Sequence, residues 1–256
     1  MSASATLLSE ADNHAHFVQF YKPDDRALYA NVARYIAEGF SRGDAALVVA
    51  TRAHSDAFFE ALEDAGVDCP AAVRESRLVF LDAEQVLARI MVAGYPNAAF
   101  FASVVGDAVR EVPVRAATSG VRVFGEMVGV LWAAGEYPAA IRLEQLWNKL
   151  REDLPCSLFC GYPIDLFDTR FEVGTLDAVL CAHTHMLPTT NDEVLEKTAT
   201  RALEDVPAGD GRAVSRGLSS GTGKPSWAVM PENEARILWL RRYCPEKIPE
   251  VLARIQ

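Results

Sequence analysis

No stretch of this 256-residue chain reaches the roughly 18 consecutive apolar residues that a membrane-spanning helix needs. Its first 15 residues, MSASATLLSEADNHA, lack the basic and apolar regions of a signal peptide, so a cytoplasmic location is expected, with no membrane partner. Basic residues are scarce: 25 Lys and Arg face 35 Asp and Glu, a net charge of −10 that argues against direct binding to nucleic acid, which needs a basic surface. The imbalance is local, because residues 1–187 hold 15 basic and 25 acidic groups whereas 188–256 hold 10 of each. Cysteine is scarce too. Cys69, Cys156, Cys160, Cys181 and Cys244 are odd in number and follow no disulfide-framework spacing, so they read as small, reduced core residues.

A phosphate-binding loop is also missing. Where GxxxxGK[ST] would follow a first strand, the chain has Tyr21-Lys22-Pro23-Asp24-Asp25-Arg26. Without glycines the backbone amides cannot converge on phosphate, and two aspartates would repel it. The later SSGTGKPS is a decoy: Leu218 stands in place of the first glycine, Pro225 replaces the magnesium-binding hydroxyl, and no apolar strand precedes it. An enzyme is therefore the less expected function, and no cofactor is expected.

What is present is a half-hydrophobic chain able to bury a full core. Short apolar runs at His16–Tyr21, Ala45–Thr51, Leu78–Leu81, Val121–Phe124 and Ser157–Cys160 alternate with stretches of helical period. The first such stretch carries Leu28, Val32, Ile36 and Phe40. Ser55 can cap a helix that buries Phe58, Phe59 and Leu62, and Asp82 with Gln85 has capping-box spacing. Pro96-Asn97 opens a helix, Pro138 opens another, and Leu176–Met186 reads as one more, stopped by Pro188. The alternation predicts an α/β fold: an open, mostly parallel sheet with helices on both faces, plus a short C-terminal helical segment. The expected organisation is a flexible N-terminus (1–13), a main domain (14–188), a helix (189–204), a Gly/Ser/Pro-rich flexible linker (205–226) and the C-terminal segment (227–256).

In such sheets ligands bind beyond the carboxyl ends of the strands. That edge is expected to carry Tyr21, Thr51, Arg52, His54, Asp82, Glu126 and Tyr162. Glu126, at a strand tip, suits ligand hydrogen bonding, capping of the next helix, or a base or metal ligand in an enzyme. Glu144 and Asn148, four apart on one helical face, either reach a ligand or face water. Cys181-Ala182-His183-Thr184-His185 sets three metal-ligand types close together, but Cys160, Asp177 or His54 would have to complete a shell, and no metal is assigned.

Three blocks carry a resemblance: HFVQFYKPDDRALYANVARYIAEGFSRGDAALVVATRAH, GEMVGVLWAAGEYPAAIRLEQLWNKL and SLFCGYPIDLF, in that order. Together they resemble the MEDS family, the methanogen/methylotroph DcmR sensory domain of bacterial and archaeal regulators, over about His16 to Pro188. The resemblance implies a RecA/KaiC-like fold and a role in sensing small organic molecules. The expected function is a sensory or regulatory domain that binds a small organic ligand or a signalling partner and passes the state on through protein contacts. The expected partners are a signalling or transcription-regulatory protein and further copies of the chain. The alternatives are an oligomeric scaffold, or an NTPase-like or metal-dependent enzyme that uses Glu126.

Overall fold

The computed structural model describes residues 8, 15–22, 26–113, 119–168, 174, 176–190, 193–204 and 228–255. The decoy glycine stretch and the predicted linker lie outside these residues, as does most of the predicted flexible N-terminus.

Strand β1 (His16–Phe20) leads into α1 (Arg26–Ser41), β2 (Ala45–Ala50), α2 (Arg52–Asp64), α3 (Cys69–Arg74) and β3 (Leu78–Asp82). Helix α4 (Ala83–Ile90) runs into a hairpin of β4 (Met91–Val92) and β5 (Tyr95–Pro96). Beyond it, α5 (Ala98–Phe101), a π turn (Ala102–Gly106) and α6 (Asp107–Glu111) form one continuous helical rod. Next come β6 (Val121–Gly125), α7 (Met127–Ala133), α8 (Tyr137–Asp153) and β7 (Cys156–Tyr162). The chain closes with α9 (Leu176–Ala182), β8 (His185–Met186), α10 (Glu193–Glu204), α11 (Glu232–Tyr243) and α12 (Ile248–Ile255).

Six strands form one parallel sheet in the order β3-β2-β6-β7-β1-β8. β1 and β2, consecutive in the chain, are separated in space by β6 and β7, so the strand tips near Tyr21, Thr51 and Glu126 surround the place where the winding reverses. The four central strands, β2, β6, β7 and β1, are buried on both faces, which explains their nearly unbroken apolar runs. One face packs Phe17, Val48, Phe124 and Phe159 against Val32, Ile36, Phe58 and Leu62 of α1 and α2. The other packs Val18, Leu47, Val123 and Leu158 against α4 to α9. Gly135, with φ of 78°, makes the tight reversal from α7 to α8.

Several expectations change. The helix foreseen over Leu176–Met186 stops at Ala182, because His185 and Met186 pair with Phe17 and Val18 as an edge strand. Ser55 is not a cap: α2 begins at Arg52, with Thr51 before it. The β4–β5 hairpin was not foreseen; Ala93 (φ 49°) and Gly94 (φ 83°) both take the left-handed conformation that a two-residue hairpin turn requires. The C-terminal helices dock on their own domain, with Ile237, Leu238, Leu240, Val251 and Leu252 buried in the same core. Arg241 donates to the carbonyls of Leu166 and Asp168, and Arg242 pairs with Asp177. Among the described residues, no helix is long and apolar enough to cross a membrane.

Candidate functional site

Glu126 follows β6 directly and is only 2% exposed. It occupies the N-cap position just before α7 yet makes no capping bond; its carboxylate turns toward the strand tips. The backbone N–H of Thr51, at the tip of β2, donates to Oε2 at 2.8 Å. The Tyr21 hydroxyl, from the tip of β1, donates to Oε1 at 2.9 Å, and the His54 Nδ1 bonds the same oxygen. Tyr21 has to cross β7 to arrive there. Gly161 of β7 leaves the space: a Cβ on it would lie 3.2 Å from the Phe124 ring and 3.3 Å from the Tyr21 ring. Gly129 seats α7 on the same strand end, since a Cβ there would fall 2.5 Å from the Gly161 carbonyl oxygen.

Burial pushes the Glu126 carboxyl up, but the bonds from His54, Thr51 and Tyr21 outweigh it and hold the group below the usual carboxylate range. Burial, with Glu126 beside it, pushes the Tyr21 phenol up, so it stays an O–H donor. The result is a buried carboxylate held by three donors; of the two side-chain donors, Tyr21 is buried and His54 is 20% exposed. The rings of Tyr21 and Tyr29 stand edge-on to His54 and fix its plane.

The other residues expected at this edge are distributed differently. Asp82 caps α4, accepting from the Gln85 N–H at 2.9 Å, and Arg52 is exposed with no side-chain hydrogen bond among the described residues. Tyr162 and Glu144 meet each other instead. They lie under α8, on the opposite face of the sheet from Tyr21, where the Tyr162 hydroxyl donates to Glu144 Oε1 at 2.6 Å.

Around Glu144 the structure gathers His16 of β1, Cys160 of β7 and His183, which follows α9, all buried. Burial lowers both imidazoles, keeping them neutral, and raises the Cys160 thiol. Asn148, one helical turn from Glu144, also faces inward: its Oδ1 accepts from His16 Nδ1 at 3.0 Å and its Nδ2 donates to the Ala182 carbonyl at 3.0 Å. The Cys181–His185 run is divided. Cys181 is exposed, the half-buried His185 lies against the Phe17 ring, and His183 alone joins the group, with Cys160 beside it. His16 and Cys160 had left a trace in the sequence as polar residues within apolar strands, but which strands neighbour each other was not written there. A shallow groove of about 450 Å³ between α1 and α2, lined by alanines such as Ala30, Ala33 and Ala61, shares no residue with either cluster.

The family model described as MEDS, the MEthanogen/methylotroph, DcmR Sensory domain, matches residues 15–184. The chain belongs to the MEDS family. That span runs from the residue before β1 to the residue before β8 and includes every member of both clusters. A sensory role follows from membership. Comparison with curated proteins gives no match.

Proposed function

We propose that this MEDS domain senses a small polar organic molecule at the strand-end cleft, with the Glu126 carboxylate as acceptor and His54 as the group a ligand meets first. The observation that carries the reading is a carboxylate kept ionised in a nearly dry site, with one of its two side-chain donors, His54, a fifth exposed. A ligand bearing a hydroxyl or ammonium group can replace the His54 bond without leaving Glu126 unpaired, whereas an apolar ligand leaves a buried charge uncompensated. Missing glycines at the phosphate-loop position favour binding over nucleotide hydrolysis.

Displacing His54 shifts α2, and a changed bond at Glu126 is felt by α7, which packs on α4 and so reaches the β4–β5 hairpin. Val92, Tyr95 and Phe100 are exposed there, an apolar surface suited to a signalling protein or a second copy of the chain. The same surface favours the scaffold reading, in which the contact forms with no ligand at all.

Calorimetric titration with methanol, ethanol, methylamine and ethylamine tests the proposal. At least one should bind the native chain and lose at least tenfold in affinity with Glu126→Gln and with His54→Ala. Equal binding by all three proteins, or no binding to the native chain, overturns it. A stable oligomer that Tyr95→Ser dissociates and no probe perturbs supports the scaffold instead.

A further inference from the structure

We propose that His16, Glu144, Cys160 and His183 form a four-coordinate site for a divalent transition metal, zinc first, buried under α8 and separate from the strand-end cleft. Their donor atoms come from four separate places in the chain and lie within 4.8 Å of one another. His16 Nε2 is 3.4 Å from Cys160 Sγ and 3.5 Å from Glu144 Oε2; His183 Nε2 is 3.4 Å from Glu144 Oε1, and Cys160 Sγ is 3.8 Å from Glu144 Oε2. Zinc bonded to nitrogen or oxygen at about 2.0–2.1 Å and to sulfur at about 2.3 Å gives tetrahedral edges of about 3.3–3.6 Å. The separations among His16 Nε2, Cys160 Sγ and Glu144 Oε2 lie at or just beyond that range, and His183 Nε2 approaches the other oxygen of the same carboxylate.

The surroundings point the same way. Each imidazole has its Nδ1 against an acceptor, Asn148 Oδ1 for His16 at 3.0 Å and the Val179 carbonyl for His183 at 2.7 Å. Both rings are therefore held as the Nδ1–H tautomer, with the Nε2 lone pair directed at the cluster, which is the usual outer-shell arrangement of a metal-binding histidine. His183 Nε2 is fully buried and has no hydrogen-bond partner among the described residues. An orphaned buried acceptor calls for an explanation, and a metal supplies one. Tyr162 orients the carboxylate by donating to Oε1. Two neutral imidazoles, a thiolate and a carboxylate carry two negative charges between them, which a divalent cation cancels; on binding, the Cys160 thiol gives its proton to solvent and its sulfur forms the metal bond. A thiolate and two imidazoles favour zinc, cobalt or copper over magnesium or calcium. Four buried ligands describe a closed site, which would pin β1, β7, α8 and the segment after α9 together.

The test is to express the full chain in zinc-supplemented and, separately, cobalt-supplemented minimal medium, and to measure metal content and the visible and near-ultraviolet spectrum. The expected result is one metal per chain, with cobalt showing tetrahedral ligand-field bands and a thiolate charge-transfer band. Cys160→Ser should remove the charge-transfer band, and His183→Gln should lower metal content at least tenfold after dialysis. Asn148→Ala should weaken binding by about ten- to a hundredfold through its hold on His16. Cys181→Ser and His185→Gln should leave content and spectrum unchanged. Should a ligand variant fail to fold, the native cobalt spectrum still decides. A folded native chain that takes up no metal, or whose cobalt spectrum lacks the thiolate band, overturns the proposal, as does a loss caused by Cys181→Ser.

Discussion

Strand β6 carries a buried charge at each end, and the two are handled in opposite ways. At its start, Arg122 donates through Nε to Asp44 Oδ2 at 2.9 Å, Gly120 N–H donates to Asp44 Oδ1 at 2.9 Å, and the guanidinium lies over the Tyr35 ring. Gly39 makes room for the Arg122 stem, which a Cβ there would meet at 2.5 Å. Pair and surroundings are closed, with side-chain exposures of 3% and 8%. Just beyond the other end, Glu126 is equally buried, but one of its partners, His54, is a fifth exposed and sits on a neighbouring helix, α2. A closed pair fixes the fold; a pair with one partner at the surface can exchange that partner for a ligand. That contrast is why the proposed ligand site is at Glu126 rather than at Arg122.

The largest effect should come from the closed end. Arg122→Met leaves Asp44 buried without its cation and should cost about 3–5 kcal/mol of unfolding free energy in urea titrations. A loss below about 1 kcal/mol would mean that water reaches Asp44, and the contrast between the two ends would fail. Glu126→Gln should cost less, about 2 kcal/mol, since the amide keeps an acceptor for part of its donor set. Its sharper signature is in pH. The folded carboxyl titrates below the unfolded one, so its stabilisation is complete above the unfolded value and disappears as pH falls through the folded value. Glu126→Gln should therefore flatten the acid limb of stability against pH; an unchanged limb would mean that Glu126 does not carry it.

Tyr21→Phe removes one of the three donors and should cost about 1 kcal/mol while raising the Glu126 pKa, which carbon-detected NMR titration of the side chain reads directly. A pKa that stays put would show that Thr51 and His54 suffice. The smallest effect is expected at the surface: Arg110→Ala breaks an exposed i, i+3 pair with Asp107 and should change stability by less than about 0.5 kcal/mol in the same urea titration. A larger change would point to packing of the Arg110 stem on α6 rather than to charge.

Much of this was legible beforehand. The five main strands lie within two residues of where apolar runs between turn signals put them, because parallel strands buried on both faces need nearly unbroken apolar runs. Glu126 was found for a similar reason: a carboxylate beside a glycine at the end of a buried run must be near the sheet edge. The hairpin was not legible, since Met91–Pro96 is too short to establish a period and its turn uses an alanine at positive φ. Edge strand β8 was hidden in the same way, two residues at the end of an apparently helical pattern.

By itself the sequence determined the layers: which segments are strands, which are amphipathic helices, and which side of each is apolar. These follow from the local periods of the backbone, read over a few residues. Only the tertiary structure decided that Glu144 belongs with His16, Cys160 and His183 while Glu126 belongs with Tyr21, Thr51 and His54. Strand order is set by the packing of whole layers, so which distant residues become neighbours is not recorded in any local stretch of the chain.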